Sequence, residues 1–232
     1  MKKVSLVLMA FTLLVFWSCE KGIEQPTVFP KYFVWTGVKP KGKIRLFYDK
    51  KEITDQVEID RVLNDTSKHF GESFKALNVY LTIPVPQIKD TVLTFTHPDT
   101  VRFRNSVYTS LLKDHMFTFT SGDRVLYNMS TGEIDPFSFQ KHKPVQGPAL
   151  PLITGYTHSA QLVHVAYGDY NSMELPVMGS VFKRFVKNSL GTSGYINSMR
   201  GVFNEFDEGY ILKMQKGDTL LIQEYLYELK AK

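Results

Sequence analysis

Apolar and polar residues alternate with period two along most of this chain, the pattern of strands with one face packed and one face wet. Lys43–Asp49 places Ile44, Leu46 and Tyr48 on one face, and Leu77–Ile83 does the same with Leu77, Val79, Leu81 and Ile83. Thr91–Thr96, Thr100–Arg104, Met116–Thr120, Arg124–Asn128 and Ser159–Tyr167 follow, separated by Gly, Pro, Asn and Asp. The last run, Thr219–Lys230, sets Leu221, Tyr225, Tyr227 and Leu229 against Leu220, Ile222 and Leu226. From Tyr32 onward the pattern predicts roughly eight to ten strands.

Two segments change period. In Asp55–Phe70, residues Ile59, Val62, Leu63, Thr66 and Phe70 recur at helical spacing, with Thr54 as N-cap and Gly71 as stop. In Ser180–Leu190, residues Val181, Phe182, Phe185, Val186 and Leu190 form a narrow apolar stripe opposed by Lys183, Arg184 and Lys187, and Gly191 follows at the C-cap position. Both segments are expected to be helices that cover a core. Asp135–Pro151 is proline-rich and reads as an extended surface loop or a boundary near residues 140–150. The expected fold is mainly β: an antiparallel β-sandwich with one or two short helices, with a calycin-like β-barrel as the alternative.

The N-terminus departs from all of this. Met1–Lys3 is basic, Val4–Trp17 is a largely apolar run, and Ser18 precedes Cys19, the one cysteine of the chain. Basic start, apolar middle and small residue at the cut form the layout of an export signal, and the run is shorter than a membrane-spanning helix needs. The ending Phe16-Trp17-Ser18-Cys19 resembles a loose bacterial lipoprotein signal, in which the cysteine is acylated and becomes the first residue of the processed protein. That resemblance implies a signal peptide over 1–18, a flexible tether over 19–30 with Pro26 and Pro30, and a single β-rich domain over 31–232. Two or three acyl chains together anchor stably where one chain does not. Glu20, rather than Asp, follows the cysteine, which implies the outer membrane; Glu24 adds a second acid to the tether.

Composition narrows the function classes. Loss of Lys2 and Lys3 with the signal takes the formal charge from +5 to +3, and the bases alternate with acids, so this is not the footprint of a nucleic-acid binder. With Cys19 acylated no thiol is left for a disulfide or a metal site, and stability must come from packing. The 12 Tyr and 17 Phe supply material for that packing.

Few residues form a recognisable chemical set. His158 and His164 lie six apart and share a face on one strand, with Asp169 near, but no HExxH, His-x-His or cysteine ligand accompanies them, so no metal site is assigned. Gly191-Thr192-Ser193-Gly194 lacks the spacing of a nucleophile elbow and reads as a helix-ending turn. Glu205, Asp207 and Glu208 would supply a carboxylate pair, yet NEFDEG reads as a turn before a strand. No phosphate-cradling loop or dinucleotide fingerprint is present. No catalytic residue and no cofactor is therefore assigned. Trp35, Tyr156, Tyr170 and Tyr195 lie near turns, as do Tyr108 and Tyr167, and the first four are candidate ligand-facing aromatics. Asp90-Thr91-Val92, Asp99-Thr100-Val101 and Asp218-Thr219-Leu220 read as turns opening strands. They also resemble the periplasmic O-glycosylation acceptor of the Bacteroidota, which marks Thr91, Thr100 and Thr219 as candidate acceptors.

KIRLFYDKKEITDQVEIDRVL and the closing GDTLLIQEYLYELK resemble the small outer-membrane lipoproteins of the Bacteroidota. The resemblance implies an envelope location and a β-rich body. The expected function is that of a non-enzymatic, lipid-anchored protein of the cell envelope that binds a partner protein or a glycan. A structural or fimbrial accessory lipoprotein is the alternative, ahead of an envelope hydrolase.

Overall fold

A computed structural model describes residues 27–65, 70–82, 91–103, 106–128, 135, 137–148, 156–188 and 191–232. The side chains of 77–82, 185–188 and 191–202 fall outside that description. Twelve strands appear: β1 Lys31–Pro40, β2 Arg45–Tyr48, β3 Lys51–Ile53, β4 Leu93–His97, β5 Thr100–Phe103, β6 Ser106–Lys113, β7 Met116–Tyr127, β8 Val145–Gln146, β9 His158–Gly168, β10 Ser172–Asn188, β11 Gly191–Val202 and β12 Thr219–Ala231. Helices α1 (Gln56–Asn64) and α2 (Phe70–Thr82) follow β3, and a 3₁₀ helix covers Glu208–Lys213.

Eight of the strands close into an antiparallel barrel in the order β1-β4-β5-β6-β7-β9-β10-β12, with β12 pairing back onto β1. Each barrel strand therefore neighbours the next one along the chain, an up-and-down meander with insertions after β1, β7 and β10. The expected sandwich is overturned by β12. Along one edge it pairs with β1 (Phe33↔Ala231 through Pro40↔Tyr225) and β2, and along the other with β10 (Ser172↔Lys230 through Lys183↔Thr219). One long strand with both edges occupied joins the first and last thirds of the sheet and removes the gap a sandwich would need.

Local chemistry explains the tight turns. Asp49-Lys50 and Asp114-His115 have positive φ and make short links from β2 to β3 and from β6 to β7. Between β9 and β10, Asp169 Oδ1 accepts hydrogen bonds from the N–H groups of Asn171 (2.7 Å) and Ser172 (3.0 Å). Gly168 there has φ +133°, and a Cβ would lie 2.2 Å from the Ser172 carbonyl, so only glycine fits.

Several expected elements differ. Ser180–Leu190 lies largely in β10, a strand and not a helix: Met173, Leu175, Val177 and Val181 face the barrel core while Met178 and Phe182 face a second core outside it. A strand buried on both faces loses its alternation, and its apolar run imitates a helical stripe. Leu77–Ile83 shows the reverse error, since residues up to Thr82 belong to α2, whose Phe70 and Phe74 are buried one turn apart against the barrel. The first helix is shorter than expected, and Asp55 rather than Thr54 caps it, accepting from the Val57 N–H at 2.9 Å. Gly71 does not stop a helix; a Cβ there would lie 2.4 Å from the Leu63 carbonyl, so it lets α2 start against the end of α1. Met116–Thr120 and Arg124–Asn128 merge into β7, which bulges between Thr120 and Arg124. A 3₁₀ helix capped by Asp207 begins inside NEFDEG at Glu208, where a turn before a strand was expected.

The barrel has two unlike ends. At the near end lie the β6–β7 and β9–β10 turns and Phe29, which belongs to the expected tether but stacks edge-on against Tyr170 at 5.3 Å. Tyr170 in turn contacts Phe95 (5.2 Å) and Phe117 (5.1 Å), and these rings plug that end. At the far end Ile59 of α1 and Phe70 and Phe74 of α2 join Leu46, Val181 and Leu221. The second core, outside the wall, gathers Phe47, Phe139, Phe182, Phe206, Tyr210 and Met214. Phe139 pins the proline-rich segment there, within 4.3 Å of Tyr210. No helix among the described residues is long and apolar enough to cross a membrane.

Candidate functional site: an aromatic chamber in the barrel

Alternation along the strands aims a set of aromatic rings at the barrel axis. Trp35 follows Phe33 by two residues on β1, Phe103 follows Val101 by two on β5, and Tyr227 lies between Tyr225 and Leu229 on β12; all face the core. Phe203, just after β11, completes the group. Its ring meets Phe103 edge-on at 4.8 Å, Tyr227 at 6.2 Å, Trp35 at 6.4 Å and the His164 imidazole at 5.6 Å. Trp35 and Tyr227 pack edge to face at 4.9 Å. Phe203 reaches the interior because β9 and β10 pair only at Gly168↔Met173 and Tyr167↔Glu174. Above that point the two strands part, and the Val165 N–H donates to the Phe203 carbonyl at 2.9 Å instead. Trp35, Phe103 and Tyr227 stay partly accessible although they face inward, whereas Phe33, Phe95 and Phe117 near the plugged end are sealed.

One cross-strand row brings polar atoms to this apolar interior. Ser110 on β6 pairs with Phe119 on β7, which pairs with His164 on β9, so all three point to the same side. His164 packs against Tyr108 (5.4 Å) and Phe203. Ser110 Oγ and His164 Nδ1 are buried and have no hydrogen-bond partner among the described residues. Each such atom costs about 1–3 kcal/mol when left unmade. Burial pushes the His164 imidazolium pKa down from 6.5 to about 4, so the ring is neutral at physiological pH. Ser110 and His164 do not hydrogen-bond each other, so the nucleophile–base contact that acyl transfer needs is not formed.

The acids of NEFDEG lie outside the barrel and do not converge. Glu205 accepts from Lys41 Nζ (2.7 Å), Lys141 Nζ (2.9 Å) and the Tyr167 hydroxyl (2.7 Å), with His142 Nε2 at 3.5 Å. Burial alone would raise its pKa; the three hydrogen bonds outweigh that and hold it down at about 2. An acid that stays ionised to pH 2 does not donate protons at neutral pH. Asp207 pairs with Lys143 at 2.6 Å, and Glu208 with Arg45. These are clasps that pin β1, the proline-rich segment and the stretch after β11 to one another. Asp218, 1% exposed, is held by Arg184 through Nε (2.9 Å) and Nη2 (2.5 Å).

The candidate residues named from the sequence scatter. Trp35 lines the chamber and Tyr170 plugs the near end. Tyr156 is exposed on the way into β9, and Tyr195 lies on β11 with its side chain outside the description. They form no common surface patch among the described residues. His158 stacks on Tyr127 at 5.3 Å, His164 faces the core, and Asp169 caps the β9–β10 turn; among the described residues no three His, Cys, Asp or Glu side chains are placed so that they could hold a metal ion. Gly191-Thr192-Ser193-Gly194 opens β11 instead of ending a helix. Thr91 is exposed; Thr100 opens β5 and donates to Asp99 at 2.8 Å; Thr219 is half-buried at the start of β12, beside the buried Asp218. Cys19 and the signal segment lie outside the described residues.

Fold and site together define a class: an up-and-down, eight-stranded antiparallel barrel with an aromatic interior plugged at one end. Comparison with protein-family models, curated proteins and solved structures finds no match. Phe103 and Phe203 escaped the sequence reading because nothing local distinguishes a chamber phenylalanine from any other core residue. In the sequence His164 stands out only as half of a histidine pair, since register alone reveals its row with Ser110.

Proposed function

We propose that this chain is a non-enzymatic, lipid-anchored protein of the bacterial cell envelope, tethered at the outer membrane through acylated Cys19, whose barrel binds a small apolar molecule. The observation that carries the binding reading is the partial accessibility of three inward-facing rings, Trp35, Phe103 and Tyr227, inside a closed barrel. An eight-stranded barrel has room for side chains or for one small ligand, and rings left accessible on its inner face favour the ligand. The signal-like N-terminus supports the anchor and the envelope location. Binding of a partner protein or glycan at a surface patch has weaker support, because Trp35 and Tyr170 turn inward and a sugar would ask for many polar partners. A fimbrial accessory would call for an open groove that takes a donated strand; closure of the barrel by β12 argues against that role.

The chain from residue 19, carrying Cys19→Ser so that no acyl chain is added, contains Trp35 as its single tryptophan. Titration with the neutral dye N-phenyl-1-naphthylamine is expected to give saturable dye emission with energy transfer from Trp35. Dye emission that rises linearly, without transfer, would overturn the binding reading.

A further inference from the structure

Among the described residues five buried side chains besides His142 carry an atom with no hydrogen-bond partner: Ser110, Gln140, Ser159, His164 and Ser180. Ser180 lies between Met178 and Phe182 on the outward face of β10, Ser159 on the outward face of β9, and Gln140 in the outer segment. Only Ser110 and His164 share a row, and that row faces the chamber. Native folds leave few such atoms without a purpose, and a bound molecule or an ordered water is the usual partner.

The buried acids of the described structure are Glu205 and Asp218, and both are already paired with cations outside this row. Among the described residues no buried acid or base faces the chamber to balance an ionic ligand, and His164 is itself neutral there. A charge brought into such surroundings would be strongly disfavoured. A hydroxyl donates and accepts at once, so it satisfies His164 Nδ1 in either tautomer, while Ser110 lies two strands away across Phe119 and out of reach of the same group.

We infer that His164 forms the polar point of the ligand site, and that the ligand is an uncharged apolar molecule presenting one hydrogen-bonding group, a hydroxyl or a carbonyl, to its imidazole. The inference rests on the reading of the barrel as a ligand chamber. It adds what that reading leaves open: the charge of the ligand and the point where its polar group sits.

The test compares 1-decanol, below its solubility limit, with decanoate, below its micellar range, at pH 7.5, followed by Trp35 emission in the Cys19→Ser chain from residue 19. Decanol is expected to bind saturably and at least ten-fold more tightly than decanoate. His164→Phe is expected to weaken decanol binding roughly five-fold, the scale of one net hydrogen bond, without weakening N-phenyl-1-naphthylamine. Circular dichroism confirms folding, and His164→Gln, which keeps a polar side chain, is expected to recover part of the loss. Decanoate binding as tight as decanol, or a His164→Phe variant that binds decanol like the parent, overturns the inference while the chamber reading stands; the row then holds an ordered water only. No saturable response to decanol, decanoate or the dye sinks both.

Discussion

His164 is the residue whose environment says most about the interior. Its ring lies between Tyr108 and Phe203, no charge among the described residues is recorded against it, and burial lowers its pKa to about 4 from 6.5. The unfolded chain therefore takes up a proton below about pH 6.5 that the folded chain refuses until about pH 4. Stability must drop as pH falls through that window, by up to about 3 kcal/mol at its lower limit. Urea unfolding at pH 7 and pH 4.5 is expected to show this loss in the parent and a flatter dependence in His164→Phe. Asp218 offers a second test. Arg184 holds it with two hydrogen bonds in a nearly dry site and stacks over the Phe182 ring at 5.3 Å. Asp218→Asn keeps the shape but leaves the guanidinium unpaired, and about 3 kcal/mol of stability is expected to go. Neither environment is legible in the sequence, where His164 is one of six histidines and Asp218 one of several turn acids. Burial and partner come from strands far apart along the chain.

At the scale of the element, local patterns succeeded where one face of a strand is wet. β9 and β12 fall within a residue or so of the alternating runs that announce them. They failed where burial is two-sided. Met178 and Phe182 of β10 face one core while Val177 and Val181 face the other, so the segment carries no polar period to read. In α2 the letters Leu77, Val79 and Leu81 alternate by chance inside a helix set by Phe70 and Phe74. Caps were legible to within one residue: Asp55, not Thr54, bonds the Val57 N–H. Asp55→Ala is expected to lower stability by about 1 kcal/mol in denaturant unfolding, since it frees a helix-end donor and leaves the packed face of α1 intact. The same substitution at Thr54 is expected to move the midpoint far less.

For the whole molecule, the clasps around Glu205 hold the region where β9 and β10 part. The Glu205 pKa is depressed to about 2, so its contribution is complete above the ordinary carboxylate range near 4.5 and fades as pH drops toward 2. Glu205→Gln is expected to cost about 1–2 kcal/mol at pH 7, because Lys41 and Lys141 remain partly exposed and find water. It is also expected to flatten the acid limb of the stability profile between pH 4.5 and 2. The anchor has its own test: Cys19→Ser is expected to move the protein from the membrane fraction to the soluble fraction, and unchanged fractionation would refute lipidation.

What the sequence by itself determined is local. It set period-two runs, the Gly, Asp and Asn turns between them, one capped helix, and an N-terminal segment unlike the rest. These follow from propensities and spacings that act within about a dozen residues. The tertiary structure decided everything that depends on which strands meet. β12 occupied on both edges turned an expected sandwich into a barrel, and the parting of β9 from β10 admitted Phe203 to the interior. The register of β6, β7 and β9 set Ser110 and His164 on one row. Strand pairing is a long-range choice made by the whole hydrophobic surface at once, and no local window contains it.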